Sequence, residues 1–526
     1  MLIITFQPVI RSLVNTIKQE SVYFAVVVDG TQDFSGKEQE SICLRYVDKD
    51  LCINESFVGL FEPPDTTGKT LALVLKDVLI RLDLPLTNLR AQTYDGAANM
   101  AGEFNGCQRL IRDEQPLALY YHCSAHCVNL VAEHTAACTP LVRDALQQVQ
   151  ELGKLSGRSL KFRNIFAQNA NGGCDDSTDE SRNSLISFSE RHVTAIKPLC
   201  PTRWLCRVSP VSRVIDLYGI VLSSLEAMAL LGSETAAKCN GLLEQFRKGV
   251  TLLGLKIALA VFSILEQLNR SLQAENATVS GMIKAVESVI TQLGLLRSED
   301  SFSSIIDDVN REIAEHDLYE LRIPRIRRPP ARYSGPSEAH VSETVEEHYR
   351  AAFYAVIDSA IMQLRERFST DDSKTGLRTY LQLEGTLLSG CVSDVCYSYP
   401  ELKEHDNSLE TQLKMFRNQY KYNSLLDAQK IMKDMCSEVR ALFPAVEKLI
   451  RLLLLCPAAS CSAERSFSAL RRLKTLLRST MTQQRLNAIS ICHTHQDMLD
   501  NVNVQEIARE FAARSDIRRN VFGNWV

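Results

Sequence analysis

Three acidic residues pose the chemical question in this chain. Asp29 closes the apolar run Val22-Tyr23-Phe24-Ala25-Val26-Val27-Val28, and Asp95 closes Leu89-Arg90-Ala91-Gln92-Thr93-Tyr94. Glu464 opens an amphipathic stretch, Cys461-Ser462-Ala463-Glu464-Arg465-Ser466-Phe467-Ser468. Two carboxylates on neighbouring strands, joined by a third from a helix, repel one another unless a cation such as Mg²⁺ or Mn²⁺ sits among them. Two such ions about 3.5–4 Å apart support in-line phosphoryl displacement. The plainer reading is a turn: both aspartates precede glycine (Gly30, Gly96), and Asp-Gly after a strand is a common turn signal. Asp33 and Glu103 are nearby acids that compete for the same role.

Two further motifs bear on chemistry. Tyr121-His122-Cys123-Ser124-Ala125-His126-Cys127 contains Cys-x-x-His, which could begin a zinc site. A closed structural zinc site needs a second ligand pair, and Cys138 has no partner at ligand spacing, so packing or hydrogen bonding by Cys123 and His126 is expected and no zinc site. Pro201-Thr202-Arg203-Trp204 sets an arginine beside a tryptophan. Exposed near DNA, that pair can contact phosphate and stack on an unpaired base; otherwise Trp204 is a buried ring with a surface arginine beside it.

Elements must bring these residues together. Residues 22–28, 41–47 and 52–60 read as three strands with hairpin-length connections, and 68–82 turns helical with Leu71, Val74, Leu75, Val78, Leu79 and Leu82 on one stripe. A strand ending at Asp95, a helix over 97–113, a strand over 117–121 and a helix from about Ser124 follow. The order βββαβαβα is that of an α/β ribonuclease-H-like core, in which the first and fourth strands are neighbours and Asp29 lies beside Asp95. From 135 to 439 the pattern is of amphipathic helices, with linkers near 169–183 and 321–336. Residues 440–500 form a further helical region and 501–526 a last helix and tail. A helix capped by Ser462 is expected to bury Ala463, Phe467, Leu470, Leu473 and Leu477.

The bulk properties agree with a folded chain of several domains: 526 residues, 45% hydrophobic, 23% charged. A net charge of −4 excludes a generally basic nucleic-acid coat, so DNA contacts must come from local patches. The 16 cysteines follow no disulfide framework and point to reduced thiols in cytosol or nucleus. No signal peptide is expected at the N-terminus, and the apolar stretches 254–265 and 449–459, interrupted by Lys256 and Arg451, are expected not to span a bilayer.

Taken together, Asp29-Gly30-Thr31-Gln32-Asp33, Gln92 to Met100, His122 to His126 with Asn129-Leu130, Thr202-Arg203-Trp204 and Ser462 to Ser468 resemble the core of hAT-superfamily transposases. The similarity is to the branch found in transposon-derived MYM-type zinc-finger and THAP-domain proteins. The resemblance implies a ribonuclease-H-like core interrupted by a large all-α insertion and completed by the C-terminal helices. It implies Asp29, Asp95 and Glu464 as the acidic triad holding Mg²⁺ or Mn²⁺, Cys123 and His126 as a family motif, and Arg203 and Trp204 as DNA contacts. It also implies a dimerisation region at 440–500, with Phe467, Leu470, Leu473 and Leu477 in dimer or core packing, hence a homodimer or higher oligomer. Relatives often carry Asp-Glu-Thr-Thr-Asp where Gly30 and Gln32 stand here, and an N-terminal DNA-reading zinc module is expected to be missing.

Two functions follow from that resemblance. One is a metal-dependent transposase core that cleaves and joins DNA at transposon ends. The other is a domesticated nuclear scaffold that acts through dimerisation and protein or DNA contacts. A cellular ribonuclease of the same fold would have no need of so large a helical insertion.

Overall fold

The structure, a computed structural model, describes residues 2–172, 196, 207–231, 234–274, 277–324, 344–369, 375–403 and 408–523. The chain divides into two compact units. The first gathers Met1–Cys127, Ser271–Lys284 and Ser369–Val526; the second gathers Val128–Arg270 and Ala285–Phe368.

The first unit is built on five strands: β1 (Phe24–Gln32), β2 (Glu38–Val47), β3 (Ile53–Phe61), β4 (Leu89–Tyr94) and β5 (Leu119–His122). Their order across the sheet is β3-β2-β1-β4-β5. The first three pair antiparallel, while β1–β4 and β4–β5 are parallel. The central strand is apolar on both faces because both are covered, as expected where helices pack on either side of a sheet. Val26 and Val28 pack with Ile42, Leu44 and Tyr94 against the helix α2 (Gly68–Arg81), whose Leu71, Leu75 and Leu79 supply the stripe. Val27 faces the other way, into a cluster with Cys43, Phe57, Leu60, Ala463, Phe467 and Leu470. That second layer comes from the far end of the chain, from the helix Cys461–Leu473 and the helix Gln483–Thr494.

Docking of these late helices is specific as well as apolar. Buried Lys474 bonds Asp33 at 2.5 Å, with side chains 2% and 0% exposed. Gln39 bonds Asp33 at 3.1 Å and exchanges hydrogen bonds with Gln483. Arg45, 1% exposed, donates to the Leu454 carbonyl and pairs with Glu55 at 2.7 Å. A β-bulge adds one more fastening: the register shifts between Ile42 and Cys43, and Gly59 takes φ +151°. A Cβ at Gly59 would lie 2.6 Å from Asn487, whose side chain accepts from the Leu60 N–H.

Several sequence expectations need correction. The chain does not start at the first strand: helix α1 (Leu2–Glu20) precedes it, burying Val9, Leu13, Val14 and Ile17. β1 does not end at Asp29 but runs on to Gln32 through its hairpin with β2. The single helix expected over 97–113 is two, Ala98–Ala101 and Cys107–Glu114. Gly102 and Gly106 break it, their backbones approaching so closely that a Cβ at Gly106 would lie 2.4 Å from Gly102 N. Asn169 to Gly172 belong to the helix Leu160–Gly172 rather than to a linker; the rest of the 169–183 linker and 325–336 of the other lie outside the described residues.

In the second unit the helix Tyr218–Ala229 packs on Leu160–Gly172 and Glu234–Phe246, and Gly249–Leu272 approaches Pro140–Arg158 closely at Gly254, where a Cβ would lie 2.5 Å from the Leu141 carbonyl oxygen. By length and composition alone, Gly249–Leu272, which contains the 254–265 stretch, and Val279–Leu296 are long and apolar enough to cross a membrane. In the first, 67% of the most apolar window is buried inside the protein; in the second, 33%. All described cysteines are free thiols.

The Asp33–Lys474 pair yields a test. Burial works to raise the Asp33 carboxyl, but hydrogen bonds from Lys474 and Ser35 outweigh it and hold it at about 2. That lies below the free-chain value of about 3.9, so the pair's contribution is complete above about pH 4 and disappears as pH falls toward 2. Lys474→Met, which strands the aspartate, should cost about 3 kcal/mol in urea unfolding at pH 7. The cost should shrink by about 2 kcal/mol toward pH 2, as the shift implies.

Candidate functional site

The end of the β1–β4 pairing creates the site. Parallel pairing stops at Val27–Thr93, and β4 gives way at Asp95-Gly96, so β1 has no β4 partner beside Asp29 and Gly30. Asp29 and Asp95, each two residues past that last pair, are half-buried and share the face that carries the late helices. The β1 hairpin sets Ser41 opposite Asp29, and Ser41 accepts a 2.7 Å hydrogen bond from Ser466 Oγ. Glu464 lies two residues earlier on that same helix. Thus one side-chain hydrogen bond ties the Glu464 helix to the strand position facing Asp29.

The preceding segment is equally constrained. Thr93 Oγ1 donates to the Pro457 carbonyl, Ser124 N–H to the Ala458 carbonyl, and Ser460 N–H to Cys123 Sγ at 3.3 Å. Cys123 is fully buried, and burial pushes its thiol up to about 11. Its role is therefore that of a packed hydrogen-bond acceptor at the start of the Ser124–Ala137 helix. His126 lies on that helix, its ring 6.0 Å from the ring of His122.

Electrostatics tie the acids together. The Asp29 carboxyl is pushed well above the usual range by burial, then by the negative charges of Asp95, Glu464 and Glu40. The Gly30 N–H, 3.1 Å away, offsets this in part. Asp95 accepts from the Ala97 N–H at 3.2 Å, while its carbonyl accepts from the Tyr120 hydroxyl. Glu40, which sequence reasoning missed, is 5% exposed and pushed up to about 7 by burial and by Asp95 and Glu38. The largest influences on both are burial and neighbouring acids. Among the described residues, however, no group of three or more His, Cys, Asp or Glu side chains forms a ready-made metal cage. The donors are hard carboxylate oxygens, the chemistry that suits Mg²⁺ or Mn²⁺. Mg²⁺ usually keeps several waters and needs only one or two carboxylates.

The other expected residues divide differently. Asp33 is committed to Lys474, and Glu103 is exposed on the 102–106 turn. Phe467 and Leu470, 5% and 2% exposed, are core residues under the sheet, and Leu473 packs at their edge. The helix starts at Cys461, with Ser460 rather than Ser462 as its N-cap, and ends at Leu473. Leu477 therefore leaves the expected stripe; it sits on the 3₁₀ turn Leu476–Arg478 and is 94% exposed. Arg203 and Trp204 lie outside the described residues. A polar cavity of about 580 Å³ flanks the Glu464 helix, lined by Glu55, Ser462, Arg465, Arg472 and His493 among others.

Comparison with known proteins finds two family matches. Residues 4–106 match the RNase-like domain of the ZMYM1/FAM200 type, and residues 419–498 match the hAT family C-terminal dimerisation region. The chain thus carries an RNase-like region and a C-terminal dimerisation region of the kind found in hAT-derived, transposase-like proteins. It is similar to the 52 kDa repressor of the inhibitor of the protein kinase of Mus musculus, 20% identical over 514 residues, covering 92% of this chain and 64% of the relative. The Homo sapiens protein of the same name is 20% identical over 522 residues, covering 92% and 63%. The chain therefore spans just under two thirds of the length of these curated relatives.

The Asp29 shift gives a second test. A carboxyl raised in the folded state binds its proton more tightly there, so stability falls as pH rises from about 4 through the folded pKa. Asp29→Asn removes that loss. The variant should melt at or above wild type at pH 8 in EDTA, with a flatter stability–pH curve above pH 4; a lower melting temperature throughout would contradict the repulsion.

Proposed function

We propose that the five-stranded sheet is a ribonuclease-H-like core of transposase descent, and that Asp29, Asp95 and Glu464 form a divalent-cation site acting on DNA phosphodiesters. The observation that supports this most is that Asp29 on β1 feels the negative charges of both Asp95, at the end of β4, and Glu464, on a helix near the opposite end of the chain. Asp29 and Asp95 would hold the cation from the sheet, and Glu464 would close on it from the helix. When bound, Mg²⁺ or Mn²⁺ supplies the charge neutralisation that phosphoryl transfer requires. The protein's own part is to hold three carboxylates on rigid elements.

Arg465 and Arg472, seven positions apart on the Glu464 helix, line the adjoining cavity and offer guanidinium groups to a phosphate backbone. The 419–498 region supports self-association, with exposed Leu476 and Leu477 as contact residues. Residues 135–439 would be the helical insertion, with Arg203 and Trp204 as DNA contacts, and the setting would be the nucleus.

A second reading is a self-associating scaffold that no longer cleaves DNA. Two observations favour it: no ready-made metal cage exists among the described residues, and the relatives bear the name repressor.

Incubation of the full chain with single- and double-stranded DNA and Mn²⁺ separates the two. Nicking abolished by Glu464→Gln, with DNA affinity retained, is the expected result. DNA binding that is independent of metal and free of nicking would establish the scaffold. In the same assay Arg472→Ala should weaken binding across sequences and reduce the salt slope by about one. For self-association, sedimentation velocity should give a dimer or larger species in wild type that Leu477→Asp shifts toward monomer.

A further inference from the structure

Glu40 has no role in the triad, yet its placement is unusual for a carboxylate. It is 5% exposed on a central strand, and its Oε2 has no hydrogen-bond partner among the described residues. A buried carboxylate oxygen without a partner is costly and calls for a compensating ligand. Register sets Glu40 directly opposite Gly30, the residue after Asp29. The carboxylate lies over that glycine: a Cβ at position 30 would stand 3.0 Å from Oε1 and 3.2 Å from Oε2.

Strand alternation puts Glu40 on the α2 face and Asp29 on the opposite one. The β1–β4 pairing ends at Val27–Thr93, so β1 has no β4 neighbour beside Asp29 and Gly30. Glu40 carries its carboxylate over Gly30 at that edge, close enough for its charge to act on Asp29 and for that of Asp95 to act on it. We propose that Glu40 is a fourth carboxylate of the acidic site, its free Oε2 contributing to the binding of a divalent cation, directly or through the cation's water. Gly30 is part of the same device, since a Cβ there would press on the Glu40 carboxylate and make it give way by a few tenths of an ångström.

This inference rests on the cation-site reading above, and one titration separates the two. Mn²⁺ alone is added to the full chain, and free Mn²⁺ is followed by electron paramagnetic resonance, with apo melting temperature as the check on folding. Wild type should bind Mn²⁺, Asp29→Asn should lose most of that binding, and Glu40→Gln should weaken it at least tenfold while melting no lower than wild type in EDTA. Gly30→Ala, which displaces the carboxylate without removing it, should weaken binding in the same direction and serves if Glu40→Gln fails to fold. Unchanged Mn²⁺ affinity in Glu40→Gln or Gly30→Ala, with loss in Asp29→Asn, overturns the role of Glu40 and leaves the site intact. No Mn²⁺ binding by wild type overturns both.

Discussion

The acidic site depends on one constraint, the docking of the 457–491 segment onto a sheet made by the first quarter of the chain. Without it Glu464 has no fixed relation to Asp29. The contacts that enforce it are of different kinds. Phe467 and Leu470 give non-directional burial against Val27 and Phe57, which favours contact but does not set rotation or register. Rotation is set by Ser466 bonding Ser41. Translation is set at the two ends, by Ser460 on Cys123 and by Lys474 on Asp33. Of these the buried Asp33–Lys474 pair is the most discriminating, since any misdocking that separates it strands two charges away from water.

That geometry carries an electrostatic cost. Asp29 is pushed up by burial and by the charges of Asp95, Glu464 and Glu40, offset in part by the Gly30 N–H. Elsewhere in the same unit buried acids are matched with care: Glu401 with Arg90, both side chains 3% exposed, and Glu55 with Arg45. Asp29 by contrast sits against other acids, the kind of placement that clusters at functional sites, and under the proposed function a cation would relieve that repulsion.

Much of this was legible in the sequence. The five strands were located to within a few residues because each is a short apolar or β-branched run bounded by turn residues, and β1 and β4 are neighbours as the order implied. The motifs at Asp29, Asp95 and Glu464 were legible as chemistry. What was missed has physical reasons. Helix α1 contains Pro8, which argues against a helix interior, although Val9, Leu13 and Ile17 share one stripe. Leu477 fits the helical period but falls beyond the point where the chain leaves the helix. Glu40 was invisible: Glu38-Gln39-Glu40 reads as a polar strand end, and only cross-strand register with Gly30 turns it inward.

The most direct measurement of the central claim is a double-mutant cycle between Asp29→Asn and Glu464→Gln, read by urea unfolding in EDTA at pH 8. If the two acids share one site, each substitution relieves repulsion, whether Asp29 responds by ionising or by holding its proton. The double variant should then gain less than the sum of the singles by at least about 0.5 kcal/mol. Additivity within about 0.3 kcal/mol, the behaviour of distant residues, would contradict the convergence on which the account stands.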